Sequence, residues 1–257
     1  MSFFTEEILE NIDIKEIVRN NKKMREMAGP IARDIIATGK CPTLDRGLLP
    51  VFVLAELSDY VLEKNIKAGI DRDITVATLK DINLWLDNYY TQYGEYGLAE
   101  FEWLFYHYTG DLFNLGRLQF RIEKARDYIP SGKYVIETHV PQGKPLDIEE
   151  CIKSFDRAKE FFKDCSPQYF MCESWLLNPN LEKILDSNSN IVKFNKLWNK
   201  APIPSDNSAQ AIERVFGFGY TIDDIDKFPE TSSLQRALKS YLKEGGSIDD
   251  TGGFIKI

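Results

Sequence analysis

A carboxylate and an imidazole lie two positions apart in a segment that is typical of a β-strand. Glu137 and His139 belong to residues 134–140, a run rich in β-branched and aromatic side chains. Because side chains alternate between the two faces of a strand, we expect Glu137 and His139 on one face. An imidazole titrates near neutral pH, so this pair could remove a proton from an amine. The alternatives are a solvated sheet face or a histidine that only bonds the following loop.

The residues after this strand predict a loop and then a helix. Pro141, Gly143 and Pro145 end the strand pattern. Asp147, followed three residues later by Glu150, has the spacing of a capping box, and apolar residues then recur at helical intervals. A strand, a glycine loop and a helix direct backbone N–H groups and the positive end of a helix to one point, which suits a phosphate or another anion. An ordinary strand-to-helix turn is the alternative.

A second strand pattern, residues 169–177, carries a candidate nucleophile. Ser174 shares one predicted face with Cys172, whereas Glu173 lies on the other face. Ser174 could act as a nucleophile if the fold brings it to His139, although no acidic side chain in the sequence identifies a complete triad. A serine that bonds a neighbouring strand is the alternative.

The composition excludes several classes of protein. The 257 residues, 43% hydrophobic and 28% charged, suffice for one large or two small domains. A net charge of −8 argues against a nucleic-acid partner but not against a small anionic ligand. With two histidines and four scattered cysteines, we expect no metal site. The acidic N-terminus is unlike a signal peptide, and the apolar runs are too short to cross a bilayer, so we expect a cytoplasmic protein without a membrane partner.

The hydrophobic pattern changes near residue 110. Before that point it predicts helices, in residues 5–18, 24–38, 48–62, 73–89 and 98–108. After it, the pattern predicts strands in residues 115–123, 134–140, 169–177, 191–198 and 212–218, and helices in residues 147–164, 179–185 and 234–242. The sequence therefore predicts an α+β or α/β protein, with a helical domain over residues 1–110 and a mixed-sheet domain over residues 111–257.

The order of elements in the second half resembles the GNAT acyltransferase superfamily. Five segments are more closely similar to a bacterial family of acyltransferase-domain proteins that pairs a helical N-terminal domain with a GNAT-like C-terminal domain. They are LGRLQF (115–120), HVPQGKPL (139–146), CESWLLNP (172–179), SNIVKF (189–194) and LQRALK (234–239). The resemblance implies an acyl-coenzyme A-dependent N-acyltransferase. The small-molecule partners of such an enzyme would be an acyl donor, which is acyl-coenzyme A, and an amine acceptor that the sequence does not identify.

The resemblance also implies roles for individual residues. In the superfamily, backbone N–H groups of a loop of the type Arg/Gln-x-x-Gly-x-Gly/Ala hold the pyrophosphate of the cofactor. The cofactor-binding residues implied here are Val140, Gln142, Gly143 and Lys144. A carboxylate on the preceding strand often serves as the base, which implies Glu137 in that role. His139 and Ser174 are further candidates, the latter for bonding the thioester carbonyl.

The chain departs from the superfamily pattern at two places. The loop has one glycine instead of two, and Pro145 donates no N–H. Residues 178–188 lack the tyrosine that often serves as general acid. These departures keep two alternatives open, a non-catalytic GNAT-like binding module and a serine hydrolase that uses Ser174 and His139. The oligomeric state also stays open.

Overall fold

The chain folds into two compact units. The computed structural model describes residues 2–257, and the boundary between the units lies between Leu115 and Gly116.

The first unit is helical, as the sequence predicts. Its elements are a π-helical turn Phe4–Ile8, α1 Ile12–Asn20, α2 Lys22–Thr38, α3 Leu48–Lys67, α4 Arg72–Leu79, α5 Ile82–Tyr93, α6 Phe101–Thr109 and the two-residue strand β1 Phe113–Asn114. The apolar helix α3 is the centre of this unit, with Phe52, Leu54 and Leu57 fully buried, and it contacts α2, α4 and α6. Within residues 45–105 the only β-pairing is an isolated bridge between Gly47 and Leu98.

One predicted helix of this unit is two helices. Residues 73–89 were expected to form a single helix, but α4 ends at Leu79 and α5 begins at Ile82. The amide of Asn83 donates to the carbonyl oxygens of Lys80 and Ile8, both at 2.9 Å. These bonds satisfy groups that a helix end leaves without partners, which stabilises the break.

The second unit combines a mixed sheet with helices. Its elements are β2 Gln119–Lys124, β3 Tyr134–His139, α7 Ile148–Phe161, β4 Tyr169–Ser174, α8 Leu181–Ile184, α9 Asn190–Asn195, β5 Asn199–Ala201, α10 Ala209–Phe216, α11 Ser233–Lys243 and β6 Thr251–Lys256. Within this unit the strands lie in the order β2-β3-β4-β6-β5. The β3–β4 pair is parallel and the other pairs are antiparallel. This arrangement confirms the predicted mixed sheet.

Helix α7 packs on one face of the sheet through aromatic rings. The Phe155 ring lies 4.8 Å from the Phe170 ring and 5.9 Å from the Phe120 ring, measured between centroids. Glu137 and Met171 are register partners and therefore share the opposite face. The predicted helix 147–164 is confirmed, although it ends at Phe161.

Two predicted strands are wrong. Residues 191–195 lie in the helix α9 and residues 196–198 in the turn that follows it, because the Ser189 hydroxyl caps the N–H of Val192 at 3.3 Å and the buried Asn195 amide donates to Leu176 O at 2.8 Å. Residues 212–218 overlap the helix α10, whose buried residues Ala211, Ile212 and Phe216 lie on one helical face.

The sheet is completed by a strand that the sequence analysis missed. β6 pairs with β4 from Tyr169–Lys256 to Ser174–Thr251. Its glycine pair weakens the strand pattern. A Cβ atom on Gly253 would lie 2.6 Å from Cδ1 of Leu177, so the glycine is what lets this strand approach its neighbour closely. The predicted strand 169–177 is also shorter, since β4 ends at Ser174 and Trp175–Leu177 forms a 3₁₀ turn.

No helix in residues 2–257 combines the length and the apolar character that a transmembrane span requires.

Candidate active site

The two parallel strands of the sheet separate at their carboxyl ends. β3 and β4 pair only at Ile136–Phe170 and Glu137–Met171. Each strand nevertheless stays paired with its outer neighbour to its end, at His139 for β3 and at Ser174 for β4. A gap therefore opens between them, and the carboxyl end of parallel strands is where open α/β sheets place their ligands.

A cavity of about 500 Å³ lies at this end of the second unit. It is lined by the loop 140–146, by Trp175 and Leu176, by residues 184–186 and 189–191, and by parts of α10 and α11. The four residues implied in cofactor binding all line it: Val140, Gln142, Gly143 and Lys144. Aliphatic side chains make up much of the wall, and the basic residues in it are Arg117, Lys144 and Arg214.

Three backbone N–H groups of the loop 140–146 make no hydrogen bond within the part of the chain that the structure describes. Gly143 has φ +93°, which favours glycine at that position. Among residues 2–257, the backbone N–H groups of Gln142, Gly143 and Lys144 have no protein acceptor. They are thus available to an anionic ligand.

Two N–H groups at the start of α7, those of Glu149 and Glu150, are not available to a ligand. The Asp147 carboxylate accepts the N–H groups of Glu149 and Glu150, both at 3.0 Å. This cap confirms the predicted helix start. The predicted capping box is not formed, because the Glu150 carboxylate accepts a bond from Lys153 at 2.7 Å instead of reaching back to the cap residue. The capping carboxylate of Asp147 and the two carboxylates of the first turn, Glu149 and Glu150, offset the positive end of the helix. An anion in the cavity would therefore be held by the loop rather than by this helix terminus.

Glu137 and His139 share the sheet face opposite α7, as their spacing predicts. Nε2 of His139 lies 3.2 Å from Oε2 of Glu137, and the same oxygen accepts Nε–H of Arg121. Burial opposes ionisation, but the imidazole and the Arg121 guanidinium outweigh it and lower the pKa of Glu137 to about 2. Glu137 is therefore ionised at ordinary pH and is a weak base. The imidazole side chain is 24% exposed and the carboxylate 8%, although the Nε2 atom that faces Glu137 is buried.

Ser174 lies on the other face of the sheet. The register puts Glu137 beside Met171, so His139 and Ser174 point to opposite sides. The Ser174 hydroxyl accepts the N–H of Leu176 at 3.2 Å and donates to Oε1 of Gln210 at 3.4 Å. The serine thus caps the 3₁₀ turn beside the cavity, and this placement does not favour a Ser–His pair.

A half-buried carboxylate lies behind the same turn. Oδ2 of Asp250 accepts Nε2–H of Gln210 at 3.1 Å, and the N–H of Asp250 donates to Oδ1 of Asp206 at 3.0 Å. Burial, followed by the Asp206 carboxylate, raises the pKa of Asp250 to about 6, although the N–H of Trp175 acts in the opposite direction.

The sequence analysis missed Arg121, Gln210 and Asp250. Arg121 had one available signal, since opposite charges often face each other across a hairpin. Arg121 pairs with Glu137 in the antiparallel register of β2 and β3. That register depends on the conformation of the connection between the strands, and the length of the connection does not reveal it. Gln210 and Asp250 come from segments for which the sequence pattern predicted no element.

Comparisons with known proteins match both halves of the chain. A family model described as N-acyltransferase N-terminal domain matches residues 5–110, and one described as GNAT-like C-terminal domain matches residues 112–255. No curated protein sequence gives a significant match.

Solved structures of acyltransferases are similar over nearly the whole chain. An Orf11 acyltransferase mutant in complex with octanoyl-CoA is 25% identical with a TM-score of 0.81, and the match covers 100% of this chain and 87% of that one. An acyltransferase in complex with decanoyl-CoA and teicoplanin is 26% identical with a TM-score of 0.75, covering 96% of this chain and 80% of that one. The same values hold for a complex with CoA and 10C-teicoplanin.

Proposed function

The chain belongs to the acyltransferase family that joins an N-acyltransferase N-terminal domain to a GNAT-like C-terminal domain, and we propose that it transfers a medium-length acyl group from coenzyme A to an amine. The gap between β3 and β4, with the cavity beside it, is the observation that carries this proposal. The octanoyl and decanoyl donors in the similar structures support an acyl chain of that length.

The donor binds with its phosphates against the loop 140–146. The backbone N–H groups of Gln142, Gly143 and Lys144 meet the negative charge, while the aliphatic wall of the cavity packs against the less polar part of the donor. The thioester end then enters the gap between β3 and β4.

The chemistry is direct attack of the amine on the thioester carbonyl. We assign proton removal to His139, because the low pKa of Glu137 makes that carboxylate a poor proton acceptor. Glu137 orients the imidazole through the contact between its Oε2 and Nε2 of His139. The C–N bond forms, the C–S bond breaks, and the thiolate of coenzyme A leaves and takes up a proton.

Ser174 has a structural role in this scheme. Its hydroxyl is engaged with Leu176 and Gln210 and lies on the opposite face from His139. A covalent acyl-serine is therefore not expected.

The test is a transfer assay with octanoyl-CoA and a panel of amines, which follows both the free thiol and the mass of the acylated product. We expect thiol release that depends on the amine. Thiol release without an acylated amine, together with an acyl-serine in the trapped protein, would support a hydrolase instead. Binding of octanoyl-CoA without any release would support the non-catalytic binding module.

A further inference from the structure

The donor site lacks two usual sources of positive potential for a diphosphate. The loop has one glycine, and Pro145 has no N–H to donate. The first turn of α7 is capped by its own Asp147 and carries Glu149 and Glu150. A ligand with a diphosphate therefore needs a compensating cation at this end of the cavity.

The side chain of Arg117, which precedes β2, makes two hydrogen bonds to the backbone of the loop 140–146. Its Nε–H donates to the carbonyl oxygen of Pro145 and its Nη2–H to that of Lys144, both at 2.8 Å. A guanidinium that bonds two successive carbonyl groups fixes the orientation of the peptide planes between them, and with it the direction of the loop N–H groups.

The backbone of Arg117 is anchored as firmly as its side chain. Its N–H donates to Oγ of Ser154 at 2.8 Å, and that hydroxyl donates to the carbonyl oxygen of Glu150 in α7 at 2.8 Å. Gly116, with φ +119°, permits this approach, because a Cβ atom there would lie 2.8 Å from Oγ of Ser154. The position of Arg117 is therefore built into the fold.

The guanidinium retains a donor that faces no protein acceptor. The two loop bonds use Nε and Nη2, and within residues 2–257 no acceptor bonds Nη1. The side chain also lines the cavity. Burial lowers the pKa of Arg117, but an arginine remains charged at any physiological pH.

We propose that Arg117 is the diphosphate-binding residue of the donor site. It shapes the loop through the Lys144 and Pro145 carbonyl groups and presents Nη1 to a phosphate oxygen, where the superfamily relies on a second loop glycine. This inference rests on the proposed function, since it names the group that recognises the nucleotide end of the donor.

The test compares two donors that share a thioester but differ in phosphates. Octanoyl-CoA carries the diphosphate, and octanoyl-pantetheine does not. For Arg117→Gln we expect kcat/KM with octanoyl-CoA to fall about 10- to 100-fold, mainly through KM, the range that corresponds to loss of a charged hydrogen bond. The value with octanoyl-pantetheine should change less than about threefold. Arg117→Lys keeps the positive charge but lacks the planar set of N–H donors of a guanidinium, so its kcat/KM with octanoyl-CoA should lie between those of Arg117→Gln and the wild type.

The control is Lys159→Gln, which removes an exposed positive charge from the last turn of α7, at the opposite end of the helix from the loop. It should leave both donors unchanged within about twofold. An equal loss with both donors in Arg117→Gln would overturn the inference and leave Arg117 a merely structural residue, as would no loss with either.

Calorimetric binding of coenzyme A separates the inference from the proposed function. If the wild type binds coenzyme A but transfers no acyl group, the proposed function fails, and the affinity of Arg117→Gln for coenzyme A still decides the inference. A wild type that binds no coenzyme A overturns both.

Discussion

Glu137 lies between two side chains that stabilise its charged form. The contacts with Arg121 and His139 lower the pKa of Glu137 to about 2, and they use the same carboxylate oxygen. The two-residue spacing was enough to predict that Glu137 and His139 share a face. It was not enough to predict Arg121, because the cross-strand partner depends on the hairpin register. The family resemblance implied Glu137 as the base from its place on the strand before the loop, whereas its electrostatic surroundings favour His139.

The first prediction separates these two roles. His139→Gln should lower kcat by about 10²- to 10⁴-fold, the usual contribution of a general base, and leave the affinity for octanoyl-CoA nearly unchanged. Glu137→Gln should cost less, because the imidazole remains and only its orientation is lost. The measurement is kcat as a function of pH for both variants. A larger loss in Glu137→Gln than in His139→Gln would return the role of base to Glu137.

The second prediction concerns Ser174. Ser174→Ala removes the cap of the Trp175–Leu177 turn and should cost about 0.5–2 kcal/mol of unfolding free energy, as cap losses do. Turnover should fall only slightly, since the hydroxyl takes no part in proton or acyl transfer. Urea unfolding and steady-state kinetics on the same preparation measure both effects. A stable variant without activity would contradict the structural role.

At the level of elements, strand-forming residues predicted the long strands, whereas alternation failed for the short segments. β2, β3 and β4 each have six residues; β2 alternates polar and apolar side chains, and β3 and β4 are rich in aromatic and β-branched or other apolar residues. Residues 191–198 alternate as well, but a run this short is compatible with a helix, and the bonds of Ser189 and Asn195 decide for α9. β6 was not predicted, because its two adjacent glycines have no side chains and interrupt the strand pattern. The loop, the capped helix and the four cofactor-binding candidates could be predicted because they are contiguous in sequence. The contacts of Arg121 with Glu137 and of Gln210 with Ser174 could not, because they depend on strand register and tertiary packing.

The third prediction uses the glycine of β6. Gly253→Ala places a Cβ atom 2.6 Å from Cδ1 of the buried Leu177 and 3.2 Å from Cβ of Trp198, so we expect about 1–3 kcal/mol of destabilisation from overpacking. Gly29→Ala in α2 is the matched control, because the nearest atom to its Cβ is the flexible end of Arg33 at 3.4 Å. That change should stabilise the protein by about 0.5–1 kcal/mol. Equal effects of the two changes in urea unfolding would show that close approach does not determine the glycine at 253.

At the scale of the whole molecule, one carboxylate makes stability depend on pH near neutrality. The pKa of Asp250 in the folded protein, about 6, lies above the ordinary value of 3.8. The folded state therefore binds this proton more tightly than the unfolded state. The resulting stabilisation is fully present below about pH 4 and is lost as the pH rises through 6.

The fourth prediction follows from the loss of stability as the pH rises and Asp250 ionises. Asp250→Asn keeps an acceptor for Gln210 and removes the charge, so at pH 8 it should raise the unfolding free energy by about 1–2 kcal/mol, a figure reduced for the partial exposure of the group. The gain should shrink toward zero near pH 4. Urea unfolding of wild type and variant at both pH values measures it, and a gain that is the same at both would show that the charge of Asp250 is not its cause.

The last prediction concerns the coupling of donor binding to folding. All residues that line the cavity lie between Arg117 and Ala237, within the second unit. A donor that binds only the folded cavity stabilises it by about 2.7 kcal/mol at a concentration 100 times its dissociation constant. Octanoyl-CoA should therefore shift the unfolding transition that includes the second unit, and the shift should grow with the logarithm of donor concentration. If the two units unfold in separate transitions, the transition of the helical unit should not move unless the donor also contacts that unit. Octanoyl-pantetheine, which keeps the acyl group and lacks the diphosphate, should need a much higher concentration for the same shift. An identical response to both ligands would mean that the loop 140–146 and its N–H groups contribute nothing to donor binding.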